Sequence, residues 1–171
     1  RAIAARIVLR IMVSILTERR RDQRDRGTIR CAWCVHARSR LDDRGGLWVG
    51  TQDGLAHFDP GSGHFRNFRH DPADPQSIPA GLVRALALSA DGNTLLVGAW
   101  LEDGSGDGPG AASDDAATDA GAAYVFVRTG STWQQQAYLK ASNSDASDRF
   151  GRSVALSADG NTAVIGATGE D

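Results

Sequence analysis

Asp103-Gly-Ser-Gly-Asp-Gly108 places side-chain oxygens at positions 1, 3 and 5 of a short stretch, with glycine at position 6 and Asp114 at position 12. This is the spacing with which a calcium loop presents its ligands, because a hard cation takes about six to eight oxygens and the chain must turn sharply around it. Asp103, Ser105, Asp107 and Asp114 are therefore the candidate metal ligands, and calcium is the candidate cofactor, with a backbone carbonyl adding to the shell. Position 12 carries Asp instead of the longer, bidentate Glu, and no helix is expected on either side. The same residues also fit a hydrated loop of Gly, Ala and Asp with no bound ion. Asn143-Ser-Asp145 and Asp148 make a shorter polar turn that is expected to hold no metal.

Other constellations offer less. Asp42, Asp43, Asp53 and Asp91 fall in turns, where a short carboxylate bonds to its own backbone. His57, His64 and His70 stand on or beside expected strands with no cysteine nucleophile near them, and they read as surface or packing histidines. Ser153 and Ser157 lack the glycine elbow that exposes a nucleophilic serine. Neither a phosphate-cradling loop nor a dinucleotide fingerprint occurs. Cys31-Ala-Trp-Cys34-Val-His36 is a lone thiol pair without the second pair that would close a zinc tetrahedron, and Val35 stands where haem attachment needs His. No catalysis is expected.

The elements that must position these residues come from internal repetition. Ala87-Leu-Ser-Ala-Asp-Gly-Asn-Thr94 recurs unchanged as Ala155 to Thr162, and the register holds downstream, with Leu95 to Ala99 against Ala163 to Ala167 and Glu102-Asp103 against Glu170-Asp171. The offset is 68 residues. Each copy is an apolar run, an Asp-Gly-Asn turn and a second apolar run, which predicts a β-hairpin. Ala122 to Arg128, a turn at Thr129-Gly130-Ser131 and Thr132 to Leu139 add two more strands. Four antiparallel strands at a fixed period predict a blade of a β-propeller, since one blade cannot bury both faces and must stack on neighbours.

Phe150-Gly151-Arg-Ser-Val-Ala-Leu156, followed by Val164-Ile-Gly-Ala167, resembles the FG-GAP repeat of integrin α-chain propellers and of many bacterial secreted or surface proteins. The resemblance covers about residues 80–171. In the earlier copy Leu82 and Val83 stand where the later one has Phe150 and Gly151, and the motif's proline is Trp100 in one copy and Thr168 in the other. The resemblance also implies calcium in an inter-strand loop, at the position of the acidic stretch. Upstream, Leu41-Asp-Asp-Arg-Gly-Gly-Leu-Trp-Val-Gly-Thr51, Asp53-Gly-Leu55, Phe58-Asp-Pro60, Gly63-His-Phe65 and His70 to Ile78 are similar to the two-component-regulator propeller repeat. That repeat builds periplasmic sensors of bacterial histidine kinases whose relatives respond to polysaccharide breakdown products. Strands are predicted over 47–51, 55–59 and 65–70, with Trp48 and Phe58 packing between blades.

Composition sets the frame. The chain has 171 residues, 41% of them hydrophobic and 23% charged, and 20 glycines, which suits a turn-rich β domain and not a disordered chain. Residues 1–40 carry eleven Arg against Glu18, Asp22 and Asp25, whereas the rest is acidic. Residues 1–16 show helical spacing. Their longest uncharged apolar run is far short of the roughly 18–20 residues that span a bilayer, and no signal-peptide pattern is present. Residues 18–40 read as a solvated, Arg-rich arm, or as a basic patch that would neutralise the phosphates of nucleic acid or anionic lipid without sequence specificity.

The expected architecture is thus all-β. It is an incomplete β-propeller of four-stranded antiparallel blades after a helical or irregular basic segment at 1–40, with blades at 41–80 and 81–148 and a further one starting at 149–171. A closed ring takes about four to eight blades, so the chain reads as a fragment with exposed sheet edges. Its partners would be a protein or carbohydrate ligand and further blades of the parent chain, met at the acidic loop or at the turns Gln52-Asp53 and Asp59-Pro60. The function expected is non-catalytic ligand binding or adhesion outside the cytoplasm, at the cell surface or in the periplasm. The alternative is a periplasmic sensor domain of a histidine kinase.

Overall fold

Short apolar runs divided by glycine-containing turns fold as expected into strands and nothing else among the described residues. The computed structural model describes residues 39–52, 54–71, 73, 77–78, 82–106 and 116–169. The expected helix over 1–16, nearly all of the Arg-rich arm and both cysteines lie outside them. The first sheet is a meander of β1 (Ser39–Leu41), β2 (Leu47–Thr51), β3 (Gly54–Asp59) and β4 (His64–Phe68). The second repeats that order with β5 (Ala85–Leu88), β6 (Thr94–Ala99), β7 (Ala122–Thr129) and β8 (Thr132–Leu139). A third sheet pairs β9 (Ser153–Leu156) with β10 (Ala163–Gly166). Pairing within all three is antiparallel, and the first strands lie side by side, β1 near β5 and β5 near β9. This is an incomplete propeller of antiparallel blades.

The duplicated octapeptide forms the same hairpin twice. In the first copy Ser89 Oγ donates to Asp91 Oδ1 at 2.5 Å and accepts from the Thr94 N–H at 2.9 Å, while Asp91 Oδ1 accepts from the Asn93 N–H at 3.0 Å. In the second, Ser157, Asp159, Asn161 and Thr162 repeat those bonds at 2.5, 2.9 and 3.1 Å. Each turn needs a residue with positive φ, which Gly92 supplies at 66° and Gly160 at 74°. The two turns also touch: the Ala90 N–H donates to the Ala158 carbonyl at 2.9 Å.

The core lies between the first two sheets, because neither has another way to cover its apolar face. Trp48 of β2 is fully buried and meets Trp133 of β8 edge-on, with centroids 4.9 Å apart, and Phe126 of β7 at 6.2 Å. Phe68 of β4 packs edge-on against the same Phe126 at 5.1 Å. Phe58 departs from expectation. It alternates to the other face of β3, stays half-exposed and stacks on Phe65 of its own sheet at 5.1 Å. Strand β1 was not foreseen: its three residues are all exposed and carry no apolar pattern, and Ser39 and Arg40 fall within the segment read as a basic arm.

Close backbone approach joins the blades. Gly50, Gly98 and Gly166 hold the same place in β2, β6 and β10. A Cβ on Gly98 would overlap the Gly151 carbonyl at the start of the third sheet, and one on Gly50 would meet the Val83 carbonyl at 2.6 Å at the start of the second. The Val83 N–H donates to Thr51 O at 2.9 Å and the Phe150 N–H to Ala120 O at 2.9 Å. The glycine after Phe150 is therefore a packing requirement of the joint.

Candidate functional site

The acidic stretch leaves β6 and returns to β7, at the end of the second sheet opposite the Asp-Gly-Asn turn. Its two stems are fastened together. The Gly121 N–H donates to Glu102 O at 2.8 Å, the Ala117 N–H to Asp103 O at 2.7 Å, and the Asp119 N–H to Asp103 Oδ1 at 2.7 Å. Beneath them lies a buried polar group. Glu102 is 2% exposed and Lys140, the sole lysine of the chain, 4%. Lys140 Nζ donates to Glu102 Oε2 at 2.8 Å and to Gly104 O at 2.6 Å, and Tyr138 OH donates to Glu102 Oε1 at 2.6 Å. A buried charge is tolerated only when paired and hydrogen-bonded, and this one fixes the backbone at Gly104, where the glycine- and aspartate-rich stretch begins. Tyr124 packs beside Tyr138, and burial, helped by the charge on Glu102, pushes its pKa far up, so its hydroxyl stays protonated.

Of the four expected ligands, Asp103 and Ser105 sit together at the first stem, whereas Asp107 and Asp114 lie outside the described residues. Asp103 spends Oδ1 on closing the loop. Among the described residues no three His, Cys, Asp or Glu side chains come together as metal ligands. In the shorter polar turn, Asp148 is 4% exposed and its Oδ2 accepts from the Asp145 N–H at 2.6 Å, so that carboxylate serves its own backbone.

A second constellation lies at the opposite end, between the first two sheets. Asp42 Oδ1 accepts from the Arg44 and Gly46 N–H groups at 3.0 and 2.6 Å, as its place in a turn led us to expect. Its Oδ2, however, lies 3.3 Å from His57 Nε2 and 3.6 Å from an Arg128 nitrogen that has crossed from β7. Arg128 also reaches Asp43 Oδ1 at 2.5 Å and Asn93 Oδ1 at 3.0 Å. The sequence reading missed this link: Asp43 bonds to the neighbouring blade, and Arg128, spaced like any exposed strand residue, gives no sign of its partners. The guanidinium beside Asp43 holds that carboxyl below its usual range. His57 packs on Trp48 at 4.3 Å, and burial lowers its pKa although Asp42 pulls the other way. A cleft of about 250 Å³ opens here, lined by His57, His64, Arg44, Arg66, Arg128 and Trp133 among others.

The remaining sites separate. Ser157 is held inside its turn by Asp159. Gln52 lies at the acidic-loop end of the first sheet, while Asp59 and Pro60 lie at the cleft end, so the two turns expected to meet partners do not share a surface. Asp53 falls outside the described residues. Among those residues no helix is long and apolar enough to cross a membrane. No curated protein matches the chain. Residues 133–171 match the FG-GAP repeat. That stretch covers β8, β9 and β10, so the similarity straddles the joint at which Gly98 receives Gly151, and this part of the chain is similar to an FG-GAP propeller repeat.

Proposed function

We propose that the chain is a non-catalytic segment of an extracytoplasmic bacterial β-propeller that binds a protein or carbohydrate ligand or mediates adhesion, with calcium held at the loop beginning at Asp103. The observation that carries this reading is the FG-GAP similarity over residues 133–171, on strands that stack as successive blades. Calcium is supported by the closed stems, which bring Asp103 and Ser105 to the start of a loop whose further carboxylates include Asp107 and Asp114. The ion would join oxygens from both halves of the loop and stiffen it. Millimolar calcium should raise the melting temperature relative to EDTA, and Asp103→Ala should abolish that difference while the β-type circular dichroism persists. Equal melting in calcium and in EDTA would remove the ion from the proposal. Protease treatment of intact cells expressing the parent protein tests the location: the segment should be cleaved from outside.

A second reading is a periplasmic sensor domain of a two-component histidine kinase that binds a carbohydrate-type ligand. It is favoured by the first sheet, in which the segment resembling the regulator repeat forms three strands and buries Trp48. A transmembrane helix and kinase in the parent gene would decide for it, whereas further 68-residue repeats would decide for the binding or adhesion module.

A further inference from the structure

Arg84 and Arg152 hold the same place in successive repeats, 68 residues apart. Each donates its backbone N–H at 3.2 Å to the glycine carbonyl of its own blade's second strand, Gly98 and Gly166. Trp100, which follows the last residue of β6, lies between them. The Arg84 and Arg152 guanidiniums are 5.7 and 5.2 Å from the centroid of its ring, and Arg149 brings a third to 5.7 Å. Arg149 does so from the left-handed region, with φ of 58°, where the preceding repeat has Gly81. All four residues are half-buried.

One indole face suits one cation. Three guanidiniums about one ring repel each other, since no two can be farther apart than twice their distance from it, close to the ~8–10 Å over which salt screens a charge. Elsewhere a buried cation meets a carboxylate: Lys140 meets Glu102, and Arg128 meets Asp42 and Asp43. Among the described residues, Arg84, Arg149 and Arg152 pair with none. Two N–H groups at the same place, Trp100 Nε1 and Arg149 Nε, are shut away from water without an acceptor. An unsatisfied buried donor is costly enough to need an explanation. A single oxyanion answers the charge, because it neutralises the cluster and supplies paired acceptor oxygens that guanidinium forks match, and a shift of these side chains on binding would bring an acceptor to the two shut-away N–H groups.

We propose that Arg84, Arg149, Arg152 and Trp100 form a binding site for an oxyanion group of a ligand, at the joint between the second and third sheets. The group is a carboxylate, sulfate or phosphate, and the site gives the blade end a recognition element for acidic ligands. It uses none of the calcium-loop residues, so the two proposals fail separately.

The test uses the whole chain at low ionic strength, titrated with sulfate, inorganic phosphate and glucuronate against chloride at matched ionic strength. Calorimetry and tryptophan fluorescence are the readouts, with Trp100→Phe identifying the responding indole. At least one probe should bind at a single site, and Arg84→Gln and Arg152→Gln should each weaken it at least tenfold, while Arg40→Gln, on exposed β1, leaves it unchanged. The preferred probe distinguishes a tetrahedral oxyanion from a sugar carboxylate. Melting in anion-poor buffer separates a site from mere packing: Arg152→Gln relieves repulsion and should leave the melting temperature unchanged or raise it. Failure of all three probes to bind, binding indifferent to both Arg variants, or a lower melting temperature for Arg152→Gln would overturn the proposal.

Discussion

Alanine at the three equivalent glycines should have three different effects, because only two of these residues face a neighbouring blade. The backbone of Gly50, Gly98 and Gly166 is not in the left-handed region, so space decides the outcome. At Gly98 the new methyl overlaps the Gly151 carbonyl, and neither group can move without opening the joint. Overpacking of this kind costs about 1–3 kcal/mol, and Gly98→Ala should fall at the upper end. At Gly50 the obstacle is again backbone, Val83 O at 2.6 Å, and the cost should be smaller. At Gly166 the nearest atom is Ser153 Oγ at 2.5 Å, a side chain that can rotate, and no backbone atom lies nearer than 3.9 Å. There the reduced freedom of the unfolded chain, worth about 0.4–1 kcal/mol, should make Gly166→Ala neutral or stabilising. Urea denaturation of the three variants gives the order directly. In a scan, each kcal/mol should appear as roughly 2–4 °C for a chain of this size. A harmless Gly98→Ala, or a Gly166→Ala as damaging as Gly98→Ala, would refute the blade-joint reasoning.

Lys140→Met should destabilise the chain by about 3–5 kcal/mol in urea titrations, because Glu102 would be left as a buried charge without its counterion. The double variant with Glu102→Leu should recover part of that loss. Stability should also fall as pH drops below about 6.5. His57 has a folded pKa lowered by burial, so the unfolded chain takes up the proton first, and stability that is complete above the unfolded pKa is lost towards the folded one. His57→Gln should flatten that window when urea midpoints at pH 7.5 and 5 are compared. A further decline below about 3.8 should come from Asp91 and Asp159, whose carboxyls are held low by the Ser and Asn donors of their turns.

The duplicated octapeptide could be read in advance because hairpin information is local. Asp, Gly and Asn each carry a turn role that needs no distant partner, and the paired runs around them alternate in register. Trp48 was equally legible, since a large apolar residue in a blade strand has only the inter-blade space in which to hide. What escaped depends on distant residues. β1 is recognisable only through its pairing with β2. Phe58 was assigned by size, and the parity of β3 turned it away from the core. Asp43, Arg128 and Lys140 acquire their roles from residues 35 or more positions away. The loop from Asp103 was legible as a spacing of oxygens, but its closure by Glu102 and Lys140 was not, because nothing in the text of a chain marks its one lysine as buried.

The stacking of the two identical hairpins is tested most directly by NMR scalar coupling across hydrogen bonds in the labelled chain. The Ala90 amide nitrogen should couple to the Ala158 carbonyl carbon, and that amide should exchange slowly with solvent. No coupling, together with free exchange at Ala90, would mean that the duplicated segments do not sit on one another as successive blades.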